Sequence, residues 1–148
     1  MFRQILIPTD GSRLAGKGVK AGVKLAKALG ARVTGVYVIA PYRPMYSEAA
    51  LSAMPGYTPD DYRKAAEKAA RKALAAIEIE AQAAGVPFDA RIVTEPQPWN
   101  GILKAARARK CDAIAMASHG RAALGGLLLG SETQRVLAHS RIPVVVIR

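Results

Sequence analysis

Two stretches carry residues whose types and spacing suit ligand chemistry. The first runs from Ala113 to Thr133 and contains Ser118-His119-Gly120, then Gly130-Ser131-Glu132-Thr133. Gly120 and Gly130 are separated by nine residues, and Ser131 follows at once. An apolar strand that ends in a glycine loop and feeds a helix is suited to bind an anion. The unpaired N–H groups of a first helical turn point outward, and the helix dipole favours negative charge. Glycine lets a phosphate approach the backbone with no Cβ in the way. The same spacing also fits a tight strand-to-helix connection that binds nothing. The second stretch is Ile5-Leu6-Ile7-Pro8-Thr9-Asp10, and Asp10 is the only carboxylate in the first 47 residues. It falls just past the C-terminal end of a predicted parallel strand, the edge where open α/β sheets bind ligands. There it could bond a ribose hydroxyl, an adenine amine or a metal, or simply close an Asx-turn.

Other candidates are weaker. Gly16-x-Gly18-x-x-Ala21 matches a dinucleotide fingerprint in letters only. It falls inside a predicted helix rather than in the turn before one, and no acidic residue follows at the required distance. Ser131 has no evident base. His119 could act on a phosphate or bond within its loop. His139 suits the C-terminal end of a helix. No Gly-x4-Gly-Lys-(Ser/Thr) loop is present. Cys111, the single cysteine, excludes an internal disulfide and a cysteine metal cluster. At the start of a strand it reads as a packed thiol.

The bulk properties bound the answer. With 148 residues and 51% hydrophobic content, the chain suits a single domain, residues 1–148, with a real core. No apolar run approaches the roughly 18 residues that would cross a bilayer. Pro8 and Asp10 interrupt the first apolar run, leaving no signal-peptide core. A soluble, cytoplasmic protein is expected, with no membrane partner. The net charge of +11 attracts polyanions. It is spread along the chain, however. Lys17, Lys20, Lys24 and Lys27 mark one solvated helix face, and Arg63, Lys64, Lys68, Arg71 and Lys72 crowd another. Aromatic residues do not interleave with them, so solvation is favoured over nucleic-acid recognition.

The elements must place both stretches together. Strands are predicted over 3–9, 32–40, 88–94, 112–117 and 143–147, each a short apolar run bounded by turn residues. Helices are predicted over 12–29, 60–84, 99–109 and 131–139. Ser12 caps the first and Asp60 the second, with Ala66, Ala69, Ala73, Ile77 and Ala81 facing inward. Trp99 reads as a packing anchor. Residues 41–59 form a long connection rich in proline and tyrosine, with a short helical turn at 47–53, able to act as a lid or a surface insertion. Alternating strands and helices imply an α/β fold, a parallel sheet with helices on both faces. Strands one and four then meet at a topological switch. Both candidate stretches fall on the same sheet edge.

Taken in order, Ile5-Leu-Ile-Pro-Thr-Asp-Gly-Ser, Ala113-Ile-Ala-Met-Ala-Ser-His-Gly-Arg, Leu127-Leu-Leu-Gly-Ser-Glu-Thr and Ile142-Pro-Val-Val-Val-Ile resemble the universal stress protein family over nearly the whole chain. The adenine-nucleotide-binding members are the nearest in motif. The resemblance implies a three-layer α/β/α sandwich whose five-stranded parallel sheet has the order 3-2-1-4-5. It implies a stress-response regulator that binds ATP, with Mg or Mn as the candidate metal. Pro8, Thr9 and Asp10 would sit near adenine and ribose, and Val38 would edge the adenine. Met116 and Ala117, at the strand end, would also line the nucleotide site. Gly120, Gly130, Ser131 and Thr133 would meet the phosphates, with Arg121 and Glu132 beside them. Glu132 equally suits the helix dipole, and Arg121 suits solvent. The family motif, Gly-x2-Gly-x9-Gly-(Ser/Thr), has glycine where this chain has Ala117. That departure supports an alternative, a member that no longer binds nucleotide and works as a protein-interaction module. Related α/β enzymes that activate substrates with ATP carry a Ser-Gly-Gly loop or a His-x-Gly-His motif. Neither occurs here, which argues against a dedicated enzyme and leaves at most slow hydrolysis. The resemblance also implies a homodimer paired through strand 144–147.

Overall fold

Apolar runs too short for helices, each stopped by glycine, proline or a charged turn, give the sheet. The computed structural model describes residues 1–43, 58–118 and 129–148. Its strands are β1 (Gln4–Pro8), β2 (Arg32–Ile39), β3 (Phe88–Thr94), β4 (Ala113–Ala117) and β5 (Val144–Ile147). Its helices are α1 (Arg13–Leu29), α2 (Pro59–Ala84), α3 (Pro98–Ala108) and α4 (Ser131–His139). All pairings are parallel, in the order β3-β2-β1-β4-β5. This is the predicted α/β sandwich, with element ends shifted by a residue or so.

Alternation along the strands builds two cores. Ile5, Ile7, Val33, Ala113 and Ala115 pack under α1 and α2. Leu6, Val36, Ile114 and Met116 pack under α3 and α4. Strands buried on both faces need apolar residues at successive positions, as Ile5-Leu6-Ile7 supplies. Ser12 caps α1 as expected, its hydroxyl accepting from Ala15 N at 3.1 Å, and Gly30 ends it in the left-handed region at φ 63°. The lysines of α1 are exposed.

Helix α2 departs from expectation at two points. Its N-cap is Thr58, not Asp60. Thr58 Oγ1 accepts from Asp61 N, Asp61 returns a bond to Thr58 N, and Pro59 occupies the first turn. Proline has no N–H to satisfy, so it seats at the first helical position and fixes the cap one residue earlier. Asp60 instead bonds Arg63 and Lys64. The buried stripe is Ala70, Ala73, Leu74, Ile77 and Ala81, whereas Ala69 is exposed and Ala66 half-buried. Leu74 and Ile77 set the face because they bury the most area, and the alanines fall where that leaves them. Of the long connection, residues 44–57, with the predicted turn at 47–53, lie outside the described residues. Its ends are tied by Tyr62, whose hydroxyl donates to Ala40 O at 2.7 Å and whose ring packs on Tyr42. Cys111 is buried, and desolvation pushes its thiol up to about 11, an unreactive packed sulfur.

Candidate nucleotide site

The C-terminal ends of β1, β2 and β4 converge where β1 lies between its two neighbours. Past β1 the backbone turns sharply. Thr9 N donates to Val36 O at 3.0 Å, holding the turn to β2. Thr9 Oγ1 accepts from Gly11 N at 3.1 Å, and Asp10 Oδ1 accepts from Ser12 N at 2.9 Å. Gly11 has φ 77°, the left-handed conformation that makes glycine the natural residue here. Asp10 therefore closes an Asx-turn, the bland alternative, and stays half-exposed at the sheet edge.

Past β4 the chain is clipped to α4 and β5. Ser118 N donates to Ile147 O at 2.7 Å, and Ser118 O accepts from Gly130 N at 2.8 Å. Thr133 Oγ1 donates to Ala117 O at 3.1 Å. These bonds set the start of α4 directly against the end of β4. Gly130 is the N-cap and makes no side-chain cap bond. The first-turn N–H groups of Ser131, Glu132 and Thr133 thus meet no capping side chain from Gly130. Gly130 has φ −58° and ψ 149°, open to any residue. Conformation therefore does not demand glycine at this position.

The side chains divide by role. Pro8 is half-buried, and Val38 packs against the α3/α4 core. A Cβ on Gly101 would lie 2.8 Å from both γ-carbons of Val38, so α3 presses on that residue. Met116 is a core side chain, 6% exposed. Ser131 is exposed at the start of α4. Thr133 is buried, its hydroxyl engaged with Ala117 O. Glu132 turns towards α3: Oε2 accepts from Trp99 N at 2.8 Å and Oε1 from Arg135 at 3.1 Å. It supplies the cap that Gln97 does not give α3. Trp99 packs on the α3/α4 core and stacks on His139, ring centroids 4.5 Å apart. His119, Gly120 and Arg121 lie outside the described residues.

Ala117 has a partner that sequence reasoning missed. Alternation puts its methyl on the α1/α2 face, with Ala113 and Ala115. A Cβ on Gly18 would lie 2.7 Å from Ala117 N and 3.1 Å from its methyl. Helix α1 therefore sits directly on Ala117, and Gly18 makes the room. Gly22, one turn on, does the same against Ile7 and Ala115. The signal was the four-residue spacing of Gly18 and Gly22 on the apolar face of α1. The Ala117 methyl points at this contact, on the face opposite the one that carries α4. A groove of about 360 Å³ also opens between α1 and α2, beside Gly11 and Ser12, with Lys20 and Lys72 on its walls. It does not include the strand ends of β2 and β4.

Comparison with known proteins agrees with this architecture. The family model described as Universal stress protein family matches residues 1–148. A universal stress protein of Thermus aquaticus, from the region 3′ of a QAH/OAS sulfhydrylase gene, is 32% identical over 149 residues, covering all of both chains. A universal stress protein solved in complex with cAMP superposes with TM-score 0.72 at 21% identity, covering 99% of this chain and 97% of that one. One from Archaeoglobus fulgidus, in complex with dAMP, gives TM-score 0.65 at 18% identity, covering 99% and 98%. The whole-chain family match, the relative of equal length and the shared strand order agree, and this chain belongs to the universal stress protein family.

Proposed function

We propose that this protein is a stress-response regulator that binds an adenine nucleotide, ATP foremost, across the ends of β1, β2 and β4. The observation that carries the reading is the start of α4. A glycine N-cap with no capping side chain is bonded to the end of β4, beside the half-exposed Asp10 turn. Such a start leaves first-turn N–H groups for an anion. In this reading Pro8 and Val38 border the adenine. Asp10 meets the ribose. The backbone of Gly130 to Thr133 and the Ser131 hydroxyl hold phosphate, with Gly120 and Arg121 from the adjoining loop. Thr133 acts through its N–H, since its hydroxyl holds Ala117 O. A Mg or Mn ion would arrive on the phosphates, with Asp10 the nearest candidate carboxylate on the β1 turn, and would neutralise phosphate charge.

Two structural relatives support the adenine part of the reading. One was solved with cAMP and one with dAMP, which share an adenine, a sugar and one phosphate. The alternative, an interaction module without nucleotide, rests on Ala117. Its methyl faces Gly18 rather than α4, which favours a working site. A homodimer through β5 and action in the cytoplasm complete the proposal. The strand Val144–Ile147 is an edge of the sheet, apolar and half-exposed.

The test is equilibrium binding of ATP, AMP and cAMP, with and without magnesium, to wild type and Gly130→Val. The backbone at 130 accepts valine without strain, so folding is expected to survive, as circular dichroism will check. Saturable ATP binding that weakens at least about tenfold in Gly130→Val supports phosphate contact there. Absence of binding in wild type contradicts the reading.

A further inference from the structure

The opposite end of the sheet gathers cations that the linear sequence scatters. Arg3 precedes β1, Arg32 opens β2, Lys110 lies before β4 and Arg141 before β5. Lys27 and Arg107 lie in the last turns of α1 and α3, which end at the same pole. All six are exposed, and none has an ion pair among the described residues. Backbone bonds fix their placement. Arg32 N donates to Arg3 O at 2.9 Å, and Asp112 N to Gln4 O at 3.0 Å. The nearby acids are occupied. Asp112 accepts from Arg3 N and Gln4 N, and Asp89 holds Arg91 and Arg109.

Helix dipoles account for Lys27 and Arg107, because cations stabilise helix C-terminal ends. They contribute at Lys110 and Arg141 too, which directly follow the C-caps of α3 and α4, but not at Arg3, which precedes β1, and little at Arg32, which opens β2. Helix α2 shows the contrast. Its Arg63, Lys64 and Arg71 are paired with Asp60 or Glu67 on the same helix.

We propose that this N-terminal pole of the sheet, carrying Arg3, Arg32, Lys110 and Arg141 with Lys27 and Arg107, is a binding surface for the phosphate backbone of a nucleic-acid duplex. Neighbouring strand starts lie about 4.8 Å apart, so the cations on the four strands β2, β1, β4 and β5 form a band roughly 14 Å long, matched to a short run of phosphates. Arginine predominates, and its planar fork suits phosphate oxygens. A single strand would need aromatic platforms, but Phe2 and Phe88 at this end pack into the core. A membrane surface would need an amphipathic helix lying flat, and here α1, α3 and α4 present their ends. The contacts are to phosphate alone, so little base preference follows. The surface lies a full strand length from the ends of β1, β2 and β4, so it does not depend on nucleotide binding.

The experiment is fluorescence anisotropy with a labelled random duplex of about 20 base pairs, from about 50 to about 300 mM KCl. Wild type is expected to bind with a log–log salt slope of about −3 to −5. The triple variant Arg3→Glu, Arg32→Glu, Arg141→Glu should bind at least about tenfold more weakly and with a flatter slope. An equal charge change on α2, Lys64→Glu, Lys68→Glu, Lys72→Glu, should stay within about threefold of wild type. Thermal melts confirm that both triples are folded, and ATP binding serves as a separate readout. Equal loss in the two triples would reduce the effect to net charge and overturn the proposal. So would absence of duplex binding, including the case where phosphatidylserine vesicles bind instead.

Discussion

The Ala117 methyl points at Gly18, so the two residues determine together how the end of β4 is held. Ala117 O accepts the Thr133 hydroxyl, and Ser118 O accepts Gly130 N. Any push on Ala117 is therefore passed to the start of α4. Gly18→Ala is expected to cost about 1–3 kcal/mol of stability by overpacking. It should also weaken ATP binding, because the nearest atom is backbone N, which cannot swing aside. Gly22→Ala is the control. Its closest contact is the mobile Ile7 Cδ1, so it should lower stability and leave ATP affinity unchanged in the folded protein. Ala117→Gly should change ATP affinity by less than about threefold, since the methyl faces away from the α4 side. A marked gain in affinity from Ala117→Gly would contradict this geometry. Gly16 offers the opposite case. Nothing lies within 4 Å of its missing Cβ, so Gly16→Ala should raise stability by about 0.5–1 kcal/mol in a thermal melt.

At the scale of elements, caps and struts decide the outcome. Thr58 and Asp61 cap α2 reciprocally, and Thr58→Ala should cost about 1 kcal/mol by denaturant titration. The bonds from Thr58 backbone and hydroxyl hold the Asp61 carboxyl below its ordinary 3.8. A carboxyl depressed on folding stabilises above its unfolded value. That contribution is lost as pH falls through the lower folded value. Stability should therefore fall on acidification below about pH 4, and less steeply in Asp61→Asn. Glu95, held down by Lys104 and Asn100, adds to the same slope. Glu132 links α4 to α3 through Trp99 N, so Glu132→Ala should cost about 1–2 kcal/mol and alter Trp99 emission. The elements themselves were legible because short apolar runs ended in glycine or proline. The inward face of α2 was less so. Alanine fills both sides of that helix, and exposed Ile79 gives a false marker. Its N-cap was ambiguous because Thr58, Asp60 and Asp61 all cap helices well. At the site, chain order revealed which strand end meets which helix start. The directions of Glu132 and Thr133 depend on packing across the sheet and no local pattern encodes them, whereas alternation along β4 fixes the side of Ala117.

At the scale of the molecule, the parallel sheet gives the protein two unlike ends. At the C-terminal end β4 is bonded to the start of α4, whose N-cap Gly130 gives no side-chain cap bond, and the N-terminal ends carry exposed cations. The sheet also has two edges, β3 and β5. Charged Asp89 and Arg91 guard β3, whereas β5 is apolar throughout. Sedimentation equilibrium should accordingly find a dimer, twice the 15.7 kDa of the chain, and a monomer at high concentration would contradict pairing through β5. The central claim, that adenine nucleotide binds where β4 meets α4, is tested most directly by titrating isotope-labelled protein with ATP and following backbone amide resonances. The account predicts saturating shifts that are largest at Gly130, Ser131, Glu132 and Thr133, with smaller ones at Thr9 and Asp10. Shifts confined to Lys20, Lys72 and the groove between α1 and α2, or no saturating shift at all, would contradict it.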